Sequence, residues 1–171
     1  QIRYYIDAAG TEENELVQDI SAEHIHKIKL YSLYNGMENY KNLWSFAIAN
    51  YSGLEANYEE PNPRFWSGIY HPQARDAYVD LDKYIIDFTD QSKPYIGIVF
   101  YRDEWVWGDL DYQTRLIEEL EKQGLNAICV FSNGMPLTEL GMPTLNEVFE
   151  RYFMKNGKSV ISTLISCVKF S

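Results

Sequence analysis

With 171 residues, nearly half of them apolar and no low-complexity tract, the chain can bury a core and is not globally disordered. Fifteen Lys and Arg against 25 Asp and Glu give a formal charge of −10, and no basic cluster stands out, which excludes a phosphate-backbone partner such as nucleic acid. No apolar run approaches the length of a membrane span, and the first residues carry no basic-then-apolar leader pattern, so the protein is expected in the cytoplasm.

The chain lacks an initiator Met and starts in mid-pattern, which predicts an excised piece of a longer protein. Leu16, Ile20, His24 and Ile28, spaced by four, predict a helix over Glu12–Leu30, with Ser21 able to divide it. Asn35-Gly36 marks a turn or helix end. A second helix is predicted over Glu38–Tyr51, with Tyr40, Leu43, Trp44, Ala47 and Ile48 as its apolar stripe. Residues 1–53 therefore read as a helical region, and Pro- and Asn-bearing 54–67 as a connector.

Residues 68–171 read as an α/β region. Gly68–Pro72 is a short extended segment stopped by proline, and Leu81–Phe88 a short helix. Ile96–Tyr101 is a nearly unbroken apolar run, as in strands covered on both faces. Tyr112–Gln123 is amphipathic, with Tyr112, Leu116, Ile117 and Leu120 inward, and Gly124 ends it. Asn126–Phe131 is the next strand. Thr144 and Glu147 form a capping box for a helix over Leu145–Phe153, and Asn156-Gly157 turns the chain into a last strand near Ser159–Val168. Strand, helix and strand at this spacing predict a parallel crossover. The fold class expected is α/β: a helical N-terminal part, then a parallel-sheet βαβ unit of flavodoxin-like type.

Tyr101, Arg102, Asp103, Glu104, Trp105, Trp107, Gly108 and Asp109 crowd the carboxyl end of the first long strand, the end where open α/β sheets bind ligands. Arg102 can grip a carboxylate and Trp105 can stack on a flat ring, which suits a planar, carboxylated ligand. Pairing and packing within the loop is the competing use of the same residues. His71, just before a proline, is a candidate proton acceptor or a hydrogen-bonded structural residue. His24 and His26, two apart on a helix, do not share a face. Cys129 and Cys167 lie in apolar runs and read as buried free thiols, and no metal-ligand spacing occurs locally. Nucleophile and phosphate-loop motifs are absent.

In chain order, LYNGMENYKNLW (33–44), GIYHP (68–72), IGIVFYRDEWVWGDLDYQTRLIEELEKQGLNAICVF (96–131) and a closing strand ending Lys169-Phe170-Ser171 form a pattern. It resembles the large subunit of cobaltochelatase and the H subunit of magnesium chelatase. Asn39, Tyr70, His71, Pro72, Tyr101, Arg102, Trp105, Gly108 and Asp109 match that family's motifs, whereas Gly36-Met37, Trp107 and Leu110–Tyr112 depart from them. The resemblance implies a slice of a much larger, tetrapyrrole-binding protein that inserts cobalt or magnesium into a corrin or porphyrin. It implies an AAA+ ATPase motor, which uses the ATP, and accessory chelatase subunits as partners. By itself the slice is expected to hold no cofactor and to be inactive. Tyr101, Arg102, Trp105 and Asp109 are the candidate substrate-binding residues, and His71 is the candidate base by its ordinary pKa, with the principal acid-base residues expected outside this slice. A non-catalytic scaffold module and a metal-removing relative acting on haem-type rings are the alternatives.

Overall fold

The computed structural model describes residues 20–168, and the chain divides into two compact units between Arg64 and Phe65. In the first unit, α1 spans Ala22–Tyr34 and α2 spans Met37–Tyr51. The predicted helix over Glu12–Leu30 lies outside the described residues up to position 19. Beyond that, helix starts only after Ser21, whose side chain caps it by accepting from the His24 N–H at 3.2 Å. Ile28 and Tyr31 of α1 pack with Leu43 and Phe46 of α2.

The inward face of α2 differs from the predicted stripe. It carries Asn39, Leu43 and Phe46, while Trp44 is 67% and Ile48 40% exposed. Asn39 sets this rotation. Its amide donates to the carbonyls of Asn35 (2.9 Å) and Asn62 (2.7 Å), and its oxygen accepts from the Asn62 N–H (2.9 Å). A buried amide satisfied on both sides outweighs the larger apolar area of Trp44. The neighbouring stretch is also tied to the helices: Tyr31 donates to the Glu59 carbonyl, and Lys27 pairs with Glu60 at 2.8 Å.

The second unit is built on β1 (Gly68–Tyr70), β2 (Tyr95–Tyr101), β3 (Asn126–Ser132) and β6 (Thr163–Ser166), in the order β1-β3-β2-β6. β2 is parallel to β3 from Tyr95↔Asn126 to Tyr101↔Ser132 and parallel to β6 from Ile96↔Thr163 to Val99↔Ser166. The three parallel strands thus stand in the spatial order 2-1-3 of a flavodoxin-like sheet. β1 is antiparallel to β3, a strand that the isolated GIY segment did not orient. The last strand is shorter than predicted. Met154–Lys155 (β4) and Lys158–Ser159 (β5) form their own hairpin about Asn156 (φ 52°) and Gly157 (φ 72°), two left-handed residues of the kind a tight hairpin requires.

Both faces of the sheet are covered. Ile69, Ile128 and Val130 pack with Leu81 and Tyr84 of α3 (Leu81–Phe88) and with Val148, Tyr152 and Phe153 of α6 (Leu145–Phe153). Ile98, Phe100, Cys129 and Phe131 pack with Trp105 and Val106 of α4 (Arg102–Trp107) and Ile117 of α5 (Asp111–Lys122). This explains why β3 is buried at every position. On α5, Ile117 is fully buried and Leu116 and Leu120 half-buried, but Tyr112 stands exposed and Gln113 takes its inward place. Gly97 is the site of closest approach: a Cβ there would sit 2.6 Å from the Ile161 side chain.

Candidate functional site at the carboxyl edge of the sheet

The chain turns straight from β2 into α4, so the stretch read as a charged loop is helical from Arg102 to Trp107, and Gly108 closes it in the left-handed conformation (φ 74°). This local geometry decides where each side chain goes. Tyr101 is half-buried and its ring lies against Gly134, at the start of the loop after β3. Arg102 is only 2% exposed: its Nε donates to the Phe65 carbonyl at 2.9 Å, and its guanidinium lies 4.6 Å from the Trp66 ring centre. Trp105 is buried and stacks on Phe131 at 4.2 Å with the planes 8° apart. The outward residues of this edge are Trp107, Asp109 and Asp111, joined by Tyr112, Met135 and Leu137.

Arg102 and Trp105 therefore shape the edge from within, by anchoring the Phe65-Trp66 backbone and covering β3. A second group of residues joins α4 to α5. Glu104 accepts from the Tyr112 hydroxyl at 3.0 Å and from the Gln113 amide at 2.6 Å. Burial and the Glu104 carboxylate both push the Tyr112 hydroxyl well above its ordinary range. Gln113 is fully buried, and its side-chain oxygen has no partner among the described residues. Glu104 and Gln113 were not singled out from sequence as a pair, since only the return of the chain through Gly108 brings positions nine apart together.

His71 lies elsewhere. β1 runs antiparallel to β3, with Gly68 opposite Phe131 and Tyr70 opposite Cys129, so the chain reaches His71 at the amino edge. His71 and Arg102 are roughly 16 Å apart along the strand direction, from the rise of a β-strand. The imidazole is 2% exposed and lies 4.3 Å from the Phe88 ring. Its Nδ1 accepts from the Gln73 N–H (3.3 Å), which puts the ring proton on Nε2, and Nε2 donates to Glu121 (3.0 Å). It borders a cavity of about 420 Å³ that Asp87, Asp90, Lys93 and Asn126 also line. The structure thus brings Tyr101, Arg102, Trp105 and Asp109 to one edge and His71 to the other.

Neither cysteine is in a disulfide. Cys129 is sealed in the sheet, where burial pushes its thiol well up, and Cys167 is half-buried. Among the described residues no group of three or more His, Cys, Asp and Glu is placed to hold a metal ion, and no helix is long and apolar enough to cross a membrane.

An uncharacterized protein of Methanocaldococcus jannaschii is 36% identical over 150 residues, covering 85% of this chain and 12% of that protein. A magnesium-chelatase subunit ChlH, chloroplastic, from Oryza sativa is 27% identical over 150 residues, covering 78% of this chain and 10% of the subunit. Among solved structures, the catalytic subunit of cobaltochelatase from Mycobacterium tuberculosis aligns with a TM-score of 0.49 at 18% identity, over 72% of this chain and 10% of that one. The chain spans about a tenth of the length of the relatives it matches. The sequence model of the CobN/Magnesium Chelatase family matches residues 29–171, and the chain belongs to that family.

Proposed function

We propose that this chain is part of the large, tetrapyrrole-binding subunit of a metal chelatase, which inserts cobalt or magnesium into a corrin or porphyrin ring. The observation that carries this reading is the family match over residues 29–171. The gathering of Tyr101, Arg102, Trp105, Gly108 and Asp109 at the carboxyl edge supports the location, because that edge is where open α/β sheets bind ligands.

In this proposal the carboxyl edge is one wall of the macrocycle site. Trp107 and Tyr112 offer ring faces to a planar substrate, while Arg102 and Trp105 fix the backbone and ring framework behind them. Insertion also requires removal of two pyrrole protons. His71 lies at the amino edge with its Nε2 proton on Glu121 and its Nδ1 on the Gln73 N–H, which supports a reading in which the base comes from another part of the protein. The metal ion is a substrate here, and an AAA+ partner that hydrolyses ATP drives its insertion.

An absorbance titration of the intact protein with a metal-free porphyrin, followed by addition of cobalt or magnesium, tests the proposal. Trp107→Ala is expected to weaken macrocycle binding by up to about tenfold, since a stacked aromatic pair contributes roughly 0.5–1.5 kcal/mol. Unaltered affinity in both Trp107→Ala and Tyr112→Ala would remove the carboxyl edge from the site. Loss of metal from a metallated ring, with no insertion, would reverse the direction of the reaction.

A further inference from the structure

Among the described residues, helices begin in two ways. α1, α3 and α6 are capped by the side chain before them: Ser21, Asp80 and Thr144 each accept from the N–H three residues on. α5 begins otherwise. Leu110 stands at its N-cap position and makes no side-chain cap bond. The first N–H groups of a helix have no partner within it, so an uncapped first turn opens readily unless tertiary contacts hold it.

Three consecutive side chains of that turn supply such contacts. Tyr112 and Gln113 both donate to Glu104 of α4, at 3.0 and 2.6 Å, and the Thr114 hydroxyl meets the Tyr70 hydroxyl at 2.7 Å. The two anchors differ in kind. Glu104 ties the turn to α4, at the edge itself, whereas Tyr70 ties it to the sheet. Tyr70 lies opposite Cys129 on β3, which sets its ring on the face that α4 and α5 cover, in a T-shaped contact with Phe100 (6.3 Å between centres). Glu104 grips only the hydroxyl tip of Tyr112. The direction in which that side chain leaves the helix follows the backbone of the turn, which Thr114 fastens.

We propose that Tyr70 is a positioning residue for the macrocycle wall: through Thr114 it fixes the first turn of α5, and with it the exposed ring of Tyr112 at the carboxyl edge. The inference rests on the reading above, in which Tyr112 offers a ring face to the substrate. A ring already held in place binds a planar partner without the cost of being ordered first. The GIYHP stretch thereby serves the carboxyl edge through Tyr70, while His71 lies at the opposite edge.

Absorbance titration of the intact protein with metal-free protoporphyrin, across a set of variants, provides the test. Tyr70→Phe keeps the ring against Phe100 and removes only the tether. This variant and Thr114→Val are each expected to weaken binding by up to about fivefold, and by less than Tyr112→Ala does, because they act through that ring. Thr114→Ser keeps the hydroxyl and is expected to bind as the parent does. In a Tyr112→Ala background, Tyr70→Phe is expected to have no further effect, since the ring that it places is gone. A loss of equal size with and without Tyr112 marks a general structural defect and overturns the proposal. So does unaltered affinity in Tyr70→Phe where Tyr112→Ala weakens binding. Unaltered affinity in Tyr112→Ala overturns it too, and the placement of the substrate at this edge falls with it only where Trp107→Ala is also without effect.

Discussion

The two ends of the sheet bury different polar groups and hold them by different means. At the carboxyl edge Arg102 is sealed beneath Phe65 and Trp66, its Nε on a backbone carbonyl and its plane near an indole. At the amino edge His71 is equally buried but borders a cavity, with Glu121, 38% exposed, as its partner. The first arrangement is a fixed part of the frame. The second joins a buried ring to a partly exposed carboxylate beside a cavity. Both residues occupy motif positions, and motif membership alone does not distinguish a frame residue from one beside an open cavity.

Three measurements sharpen or break that contrast. The largest effect belongs to the frame. Trp105→Ala removes a stacked, buried indole and is expected to lower the stability of the second unit by about 3–5 kcal/mol, read from the denaturant midpoint. A loss below 1 kcal/mol would mean that the indole is not part of the frame. At the amino edge, His71→Ala leaves the Gln73 N–H without its acceptor and is expected to cost about 1–3 kcal/mol. Glu121→Gln keeps an oxygen for the Nε2 proton and is expected to cost less than about 1 kcal/mol. Equal losses in the two variants would show that the charge of Glu121, and not the hydrogen bond alone, holds His71.

The smallest effect is a pH dependence at the start of α6. The Thr144 backbone N–H and hydroxyl both donate to Glu147, at 2.7 and 2.8 Å, and hold its carboxyl below the ordinary value of 4.5. A depressed folded-state pKa means that this contribution is present above the unfolded pKa and disappears as pH falls through the folded one. Glu147→Gln should therefore flatten the acid limb of the stability curve below about pH 4.5 and leave neutral stability nearly unchanged. An identical acid limb in the variant would show that the capping carboxylate plays no part in it.

Local signals were legible where neighbouring residues decide the structure. The capping box at Thr144 and Glu147, the turn at Asn156-Gly157, the helix end at Gly124 and the apolar run of β2 all form as the residues specify. The stripe of α2 was misplaced because a count of apolar positions is blind to Asn39, whose value depends on Asn62, 23 residues away. The candidate site was legible as a cluster, but not in its orientation. In an open loop Arg102 and Trp105 would face solvent, whereas a helix beginning at Arg102 turns them inward and leaves Trp107 outside.

The sequence by itself determined the α/β class, the parallel pairing of the long apolar strands, the helix ends and the family, since each rests on short-range pattern or on motif order. Only the tertiary structure decided that β1 runs antiparallel, which carries His71 to the edge opposite Arg102. It also decided that Glu104 meets Gln113 and that β2 lies between β3 and β6. Strand direction, the burial of a cation and the order of strands depend on which distant segments come to lie beside each other. Residue periodicity contains no term for that.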